Sequence, residues 1–264
     1  MISICTGLAA CTLLAFTEPS VVTRAPDPIG LWDSVPGVAT DEQGWSFDAF
    51  VYYWSASVGG DLTIEGEEVD LDDGGDGMFE ISALSGFLGH FEAHRGPWSF
   101  AFAPIFIHVE MNGDQSGAAD ADVEIDAQVH EGFVAHEIDG AWEWLAGARY
   151  YELEPELDLS VGGVPTGSVD AITSWVDPIV GARYRGRLGE DWSVNGRADI
   201  GGFGVGSDFA WNASLLVGYH FSSCVGAHVG YRALSLDFED GTGGDHVEYN
   251  LSMYGPIIGV SFAF

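Results

Sequence analysis

The stretch WSVNGRADIGGFGVGSDFAWNASLLVGYHF (192–221) contains two alternating segments separated by a glycine-rich connection. Apolar residues stand at almost every second position from Trp192 to Ile200 and again from Phe209 to Phe221. A period of two is that of a β-strand with one apolar face. A phosphate-binding glycine loop would instead open a helix, and no helical period follows this one. The four glycines within 201–206 therefore predict a hairpin turn, where glycine supplies positive φ.

The same alternation recurs from Gly44 to the end of the chain and predicts ten strands. These lie at about 45–57, 79–94, 98–111, 122–138, 141–154, 172–188, 191–204, 208–221, 225–238 and 247–264. Strands in soluble proteins average about five or six residues, whereas a tilted membrane-crossing strand is about twice as long. The predicted fold is therefore all-β: a transmembrane antiparallel up-and-down β-barrel of ten strands, closed by the C-terminal strand. An eight-stranded barrel is the alternative, if two segments pair outside the membrane.

The connections between these strands alternate between short turns and long loops. The short turns are 94–98, 139–141, 188–191 and 222–224, and the long loops are 58–78, 112–121, 155–171 and 239–246, with the short connection 205–207 as the exception. Outer-membrane barrels have short periplasmic turns and longer external loops. The first long loop carries eight acids between Asp61 and Asp76. Acidic residues thus concentrate where the chain meets water.

The two faces of the predicted strands differ in charge. One face is apolar, as at Val180 on one strand and Ile258 and Phe262 on the last. A soluble sandwich would bury that face, whereas a membrane barrel turns it to lipid and encloses the polar face in its lumen. The predicted lumen-lining residues are Asp48, His90, Glu92, Asp126, His130, Arg149, Asp177, Arg183, Arg185, Arg197, Asp199, His220, His228 and Arg232.

The lumen of a ten-stranded barrel is narrow, because about eight strands leave just enough room for side chains and open channels need about sixteen. An arginine buried there without a partner would cost several kcal/mol. Two interpretations follow: the charges pair into a structural plug, or they line a narrow pore for small solutes. Glu131 does not fit, because strict alternation directs it toward lipid; a β-bulge nearby would shift the phase.

The charge of the chain is extreme. Its net charge is −33, its eight basic residues are all arginine, and mean hydropathy is nevertheless +0.13. Nucleic-acid binding needs a basic surface, so this partner class is excluded. Apolar and acidic residues must be segregated in space. An excess of acids without lysine also suggests adaptation to a salt-rich environment.

Two acidic segments are candidate sites. The first, DLDDGGDG (70–77), offers oxygen ligands for a surface Ca²⁺, although its spacing is not that of an EF-hand loop and a solvated loop is the alternative. Its candidate ligands are Asp70, Asp72, Asp73 and Asp76. The second places His246 near Asp240 and Asp245, as a hydrolase at the outer rim would need, but the motifs of the omptin surface proteases are absent. The prediction is a protein without enzymatic activity and without a cofactor.

The N-terminal part of the chain differs from the rest. Residues 1–16 are apolar and resemble the core of a secretory signal peptide, although no basic residue precedes it. Residues 8–11, LAAC, resemble a lipoprotein processing box, which would make Cys11 a lipidation site. Residues 17–43 contain four prolines and no periodicity, so they predict a linker or periplasmic tail before a barrel over 44–264. No later apolar run reaches the length of a transmembrane helix.

Several motifs resemble those of a known family. The chain ends in GPIIGVSFAF (255–264), which looks like the closing strand of Gram-negative outer-membrane barrels. The other motifs, in order, are ALSGFLGHFEAHRGPWSF (83–100), LAGARYYELE (145–154), WVDPIVGARYRGRL (175–188), RADIGGFGVGSDFAW (197–211) and VGYRALSLDFED (229–240). Together they resemble proteobacterial outer-membrane β-barrel proteins of unassigned function, small porin-type barrels of the OmpA and OmpW kind.

This resemblance implies location in the cell outer membrane, with membrane lipid as one partner. It implies a second partner, the barrel assembly machinery, which reads the terminal aromatic residue, here Phe264. It implies no reaction and no catalytic residues. The function predicted from the sequence is a structural or surface role, with a narrow pore for passive passage of small solutes as the alternative and a rim hydrolase as a third.

Overall fold

A computed structural model describes residues 44–64, 67–70, 79–113, 119–161, 164–170, 172–242 and 246–264. The leader, the segment 17–43, Asp72, Asp73, Asp76 and Asp245 lie outside these ranges, so the predictions about them stay predictions. Within them, no helix has the length and apolar character that a membrane span would need. Thirteen strand segments are present: β1 (Trp45–Trp54), β2 (Ser57–Ile64), β3 (Glu67–Asp70), β4 (Phe79–Arg95), β5 (Trp98–Gly113), β6 (Ala119–Asp139), β7 (Trp142–Val161), β8 (Val164–Asp170), β9 (Thr173–Arg187), β10 (Trp192–Gly202), β11 (Phe209–His220), β12 (Val225–Asp240) and β13 (Val247–Ala263).

Ten of these segments close a barrel. Antiparallel pairing runs through β1, β4, β5, β6, β7, β9, β10, β11, β12 and β13. The last strand returns to the first, with a register from Asp48↔Ala263 to Trp54↔Ile257. The prediction of ten strands closed by the C-terminal strand is confirmed, against the eight-stranded alternative.

The remaining segments lengthen the wall at one end only. β2 continues β1 along β13 without a change of register, since Trp54 pairs with Ile257 and Ser57 with Tyr254. β8 continues the register of β9 along β7 as far as Leu159, where the pairing shifts by one residue, and β3 folds back on β2. We call this the long-loop end of the barrel, and the opposite end, where β4 turns into β5 and β6 into β7, the short-turn end.

The glycine-rich connection after β10 is a turn, as predicted. Gly202 and Gly204 have φ values of 85° and 70°. A Cβ on Gly202 would lie 2.5 Å from the carbonyl oxygen of Ser207, so only glycine fits there. The backbone N–H of Gly204 donates to the same oxygen at 3.0 Å and closes the turn.

The middle of the barrel exposes an apolar band. Val180, Leu215 and Ile258 point outward, the last with 63% of its surface exposed. Large aromatic residues border this band on both sides, as in membrane barrels. Those toward the short-turn end include Trp98, Trp142, Trp192 and Phe264, and those toward the long-loop end include Phe106, Trp211, Tyr231 and Tyr254.

Beyond this band, at the long-loop end, the sidedness of the wall reverses. Inward residues are apolar there, including Ile107, Val109 and Ile125, and they join one hydrophobic cluster. Outward residues are acidic; those that the structure describes include Glu110, Glu124, Asp126, Glu154, Glu156, Asp237, Glu239 and Glu248. We call this outward acidic surface the external wall. The reversal has a simple cause, because a wall surrounded by water must enclose its apolar side chains, whereas a wall surrounded by lipid exposes them.

Candidate functional site

The lumen inside the apolar band is crossed by buried ion pairs. On one side, Arg183 and Arg185 of β9 both contact Glu143 of β7 and Glu92 of β4. The Arg183 Nη1 group donates to Glu92 Oε2 at 2.9 Å, and Arg185 Nη1 donates to Glu92 Oε1 at 3.3 Å. Glu92 lies on β4, across the barrel from β9. Its ion pairs with Arg183 and Arg185 therefore bridge the lumen.

A second group of ion pairs lies beside the first. Arg149 donates from Nη2 to Glu131 Oε2 at 2.6 Å and to Asp199 Oδ1 at 2.7 Å. Arg197 contacts the same two carboxylates, reaching Asp199 Oδ2 at 2.8 Å. The Phe133 ring lies between the two groups, with the guanidinium carbons of Arg197 and Arg183 at 4.5 and 5.4 Å from its centre. We call both groups together the ion-pair layer.

Polar contacts extend the ion-pair layer around the lumen. Asn212 of β11 donates to Asp199 Oδ2 at 2.8 Å and accepts from Arg232 Nε of β12 at 2.8 Å. Arg232 also donates to the Tyr52 hydroxyl of β1 at 3.0 Å. Side chains from β1 to β12 therefore share one network, and each of its arginines has an anionic or polar partner, as buried charge requires.

A smaller polar group lies nearer the short-turn end. His94 Nε2 is 2.6 Å from Asp48 Oδ2, and His94 Nδ1 is 2.9 Å from Ser99 Oγ. A serine, a histidine and an aspartate in this order resemble the catalytic groups of a hydrolase. However, Ser99 is only 2% exposed, and its oxygen also lies 3.3 Å from Arg185 Nη2. This oxygen is therefore buried and already in contact with two polar side chains.

The space beside the ion-pair layer forms a cavity of about 140 Å³. Its lining comes from all sides of the lumen and includes Tyr52 of β1, Glu92 of β4, Phe133 of β6, Arg185 of β9 and Ser214 of β11. A cavity of that size has room for several water molecules. The ion-pair layer thus bridges the lumen without filling it completely.

An aromatic stack occupies the lumen beyond the ion-pair layer, toward the long-loop end. The Trp175 ring lies 3.9 Å from the Phe238 ring and 5.0 Å from the Tyr151 ring, centre to centre. Tyr249 completes the stack at 5.8 Å from Phe238, and its hydroxyl is 3.0 Å from Thr173 Oγ1. Trp175 Nε1 donates to Ser207 Oγ at 2.9 Å, so the polar edge of the indole is also satisfied. These rings close the centre of the barrel with apolar groups.

The predicted lumen residues fall into two sets. The structure places twelve on the inward face: Asp48, His90, Glu92, Arg149, Asp177, Arg183, Arg185, Arg197, Asp199, His220, His228 and Arg232. Two of them contact serine hydroxyls: His220 Nε2 lies 2.9 Å from Ser193 Oγ, and His228 Nε2 lies 2.6 Å from Ser261 Oγ. Asp177 accepts a hydrogen bond from the backbone N–H of Ser207 at 2.7 Å.

The placement of Asp126 and His130 in the lumen was wrong. Asp126 is exposed on the external wall, and the His130 ring lies on the outer face against Phe106 and Tyr150, at 5.1 and 6.1 Å. Glu131 faces inward, and the β-bulge expected near it is absent, since β6 keeps one register with β7 until Glu137. For Asp126 the physical reason is the reversal of sidedness, because that part of β6 reaches beyond the lipid, where polar residues point outward. His130 lies nearer the middle of the barrel, opposite Pro104 and Tyr150, and packs its ring among aromatic side chains.

Two inward ionisable residues, one in the ion-pair layer and one in the smaller polar group, were missed from the sequence. Glu143 and His94 lie on the same strand faces as Arg149 and Glu92, so the alternation could have found them. Asp70 lies in β3, and the proposed Ca²⁺ site cannot be assembled from described residues. His246 contacts Glu248 at 3.7 Å, while Asp240 is exposed.

No protein-family model matches this chain. No curated protein matches it. Among solved structures, the outer-membrane protease OmpT from Escherichia coli is similar over 83% of this chain and 96% of that chain, with a TM-score of 0.56 and 11% identity. The translocator domain of the autotransporter NalP from Neisseria meningitidis matches 86% of this chain and 91% of its own, with a TM-score of 0.36 and 10% identity. The attachment invasion locus protein Ail of Yersinia pestis matches 84% and 99%, with a TM-score of 0.34 and 9% identity.

At these identities the likeness concerns the fold alone. The similarity to OmpT supports the architecture derived above, that of a bacterial outer-membrane β-barrel. It does not carry the protease activity to this chain.

Proposed function

We propose that this protein resides in the outer membrane as a closed barrel and serves as a surface scaffold. The observation that carries the proposal is the double obstruction of the lumen. The ion-pair layer bridges the lumen inside the apolar band, and the stack of Tyr151, Trp175, Phe238 and Tyr249 fills it beyond. A barrel filled in this way offers its external wall, with its acidic residues, as the surface for contacts outside the membrane.

The alternative function, a narrow pore, is favoured by the cavity of about 140 Å³ beside the ion-pair layer. A path for small solutes would have to continue from this cavity past the aromatic stack. Trp175 obstructs this path, because its ring packs against the rings of Tyr151 and Phe238. The scaffold proposal therefore depends on the stack staying closed.

Single-channel conductance in planar bilayers distinguishes these functions. Purified protein should give no unitary current above the background of the bilayer, while a general porin, inserted in the same way, gives open steps. A variant that removes the stack, Trp175→Ala with Phe238→Ala, serves as a matched control for insertion without the apolar obstruction. Discrete currents from the unaltered protein would support the pore and contradict the scaffold.

We also propose that the protein is not an enzyme. The Asp48, His94 and Ser99 group supports this proposal because its hydroxyl is buried and engaged by Arg185. A fluorophosphonate probe that labels activated serines should leave the protein unmodified. Labelling that is lost in Ser99→Ala would overturn the proposal and indicate a hydrolase.

A further inference from the structure

One group of side chains on the external wall combines a histidine with several carboxylates. His108 of β5 pairs directly with Asp126 of β6, and Glu110 pairs with Glu124 one step further along the same face. His108 Nδ1 lies 2.8 Å from Asp126 Oδ1 and 3.8 Å from Glu124 Oε1. One ligand atom from each of these three residues lies within 4.8 Å of the others.

These separations fit a small divalent cation. Ligand atoms around a tetrahedral ion at about 2.1 Å are about 3.4 Å apart. The two distances from His108 Nδ1 bracket that value, so small rotations of the exposed carboxylates would bring the three atoms to it. Exposure on the wall also leaves positions for water on the ion.

Glu110 supplies the second element of such a site. Its Oε1 lies 3.1 Å from His108 Nε2, on the side of the ring away from Asp126. A histidine that binds a metal commonly donates its other N–H to a carboxylate, which fixes the tautomer and the ring orientation. Here Glu110 would hold the proton-bearing nitrogen, so that Nδ1 is the nitrogen available to an ion.

Within the described part of the chain, no arginine lies beside Glu124 or Asp126. Glu156 of β7 lies opposite Glu124, and Glu154 lies opposite Asp126. Like charges directly opposed across strands are destabilising. The chain contains no lysine. Of the seven arginines in the described part of the chain, five line the lumen, and Arg95 and Arg187 lie near the short-turn end.

The negative field is visible at the histidine itself. Glu110, Glu124 and Asp126 each place a carboxylate oxygen within 3.8 Å of a ring nitrogen of His108. Carboxylates this close to an imidazole would also stabilise a divalent ion bound beside it.

We propose that His108, Glu124 and Asp126 form a binding site for a divalent transition-metal ion, of which Zn²⁺ is the representative. One imidazole with two carboxylates is a donor set that suits Zn²⁺, whereas Ca²⁺ prefers oxygen ligands alone. The site is distinct from the acidic loop 70–77. It does not depend on whether the lumen is open, so its failure and that of the scaffold proposal are separable.

The test is calorimetric titration of the full chain, folded in detergent micelles, with ZnCl₂ and in a parallel arm with CaCl₂. We expect one Zn²⁺ per chain, and at least about tenfold weaker binding in His108→Ala and Asp126→Asn, since even outer partners of a metal site change affinity by about 10- to 100-fold. Glu110→Gln should weaken binding by about tenfold for the same reason.

Two variants control for general effects of charge and of histidine. His246→Gln removes an external histidine that lies 3.7 Å from Glu248, and Glu239→Gln removes one wall acid elsewhere. Both should keep the affinity of the unaltered protein. Since all these side chains are exposed or half-buried, the variants should fold, as the heat-dependent shift of the barrel in gel electrophoresis would verify.

Three outcomes would overturn the proposal. Zn²⁺ binding that is unchanged in His108→Ala would place the ion elsewhere. Equal loss of affinity in Glu239→Gln would mean diffuse attraction by the external wall. Ca²⁺ binding as tight as Zn²⁺ binding would show that the imidazole takes no part.

Discussion

Replacing Arg149 by methionine should strongly destabilise the barrel. Arg149 is 0% exposed and donates to Glu131 from both Nε and Nη2, at 2.9 and 2.6 Å, and to Asp199 at 2.7 Å. The variant keeps most of the side-chain volume but leaves two buried carboxylates with Arg197 as their remaining cation. Removing one partner of a buried ion pair costs about 3–5 kcal/mol of unfolding free energy. Because Arg197 retains part of the pairing, we expect a loss near the lower end of that range.

The measurement is urea unfolding of the barrel in lipid vesicles, followed by tryptophan fluorescence and extrapolated to water. The matched control is Arg95→Met, whose guanidinium is exposed and lies 5.4 Å from the centre of the Trp45 ring. That exposed contact should be worth about 1 kcal/mol or less. The double variant Arg149→Met with Glu131→Gln should recover part of the loss, because it removes one of the unpaired carboxylates.

A loss below about 1 kcal/mol in Arg149→Met would refute this reasoning, because it would mean that water screens the pair. The lumen would then be hydrated at the ion-pair layer, and the pore would become the better function.

Further predictions concern the aromatic stack, barrel closure, alkaline pH and assembly. Trp175→Ala should lower the unfolding free energy by about 3–5 kcal/mol through cavity formation, measured by the same urea unfolding; an unchanged midpoint would contradict a packed stack. Gly147→Val should prevent closure, because a Cβ there would lie 2.1 Å from the Gly132 carbonyl oxygen; loss of the heat-dependent gel shift would report it. Burial raises the pKa of Tyr249, so its contribution to stability is complete below the pKa of about 10 of an unfolded tyrosine and is lost as pH rises through the folded value. Above pH 10 the unfolding midpoint should fall less steeply with pH in Tyr249→Phe than in the unaltered protein. Equal slopes in the two proteins would show that Tyr249 does not cause the pH dependence. Deleting Phe264 should slow insertion by the assembly machinery in proteoliposomes without changing spontaneous folding into micelles, whereas equal effects on both would indicate a role in the barrel wall alone.

Strand β6 shows most clearly what the sequence could predict and what it could not. Its alternation predicted a strand, and β6 is one continuous strand from Ala119 to Asp139. Which face points inward depends on the solvent around each half of the strand, and a pattern of period two does not record where lipid ends. The predicted position of Asp126 was therefore wrong, while Arg149 and Asp199 lie on the predicted face because they are within the lipid-facing part. His130 was also wrongly placed, since its ring lies on the outer face against Phe106 and Tyr150.

The local sequence pattern also could not predict which charged side chains form ion pairs in the lumen. Glu92 and Arg183 are 91 residues apart and meet only because the barrel closes. The sequence alone does not identify His108 as a candidate ligand, because only the register of β5 against β6 places it opposite Asp126.

The alternation of apolar and polar residues over long segments determined the strands, their number and the turns between them, because period two is a local property of extended backbone. The tertiary structure alone decided which charges are neighbours and where the apolar side changes from outside to inside. Both depend on closure, since a closed wall creates a lumen whose contents pack across it and an outer surface that meets first lipid and then water. The sequence contains residues suited to the lumen, to lipid and to water, and only the closed barrel determines which of these environments each residue meets.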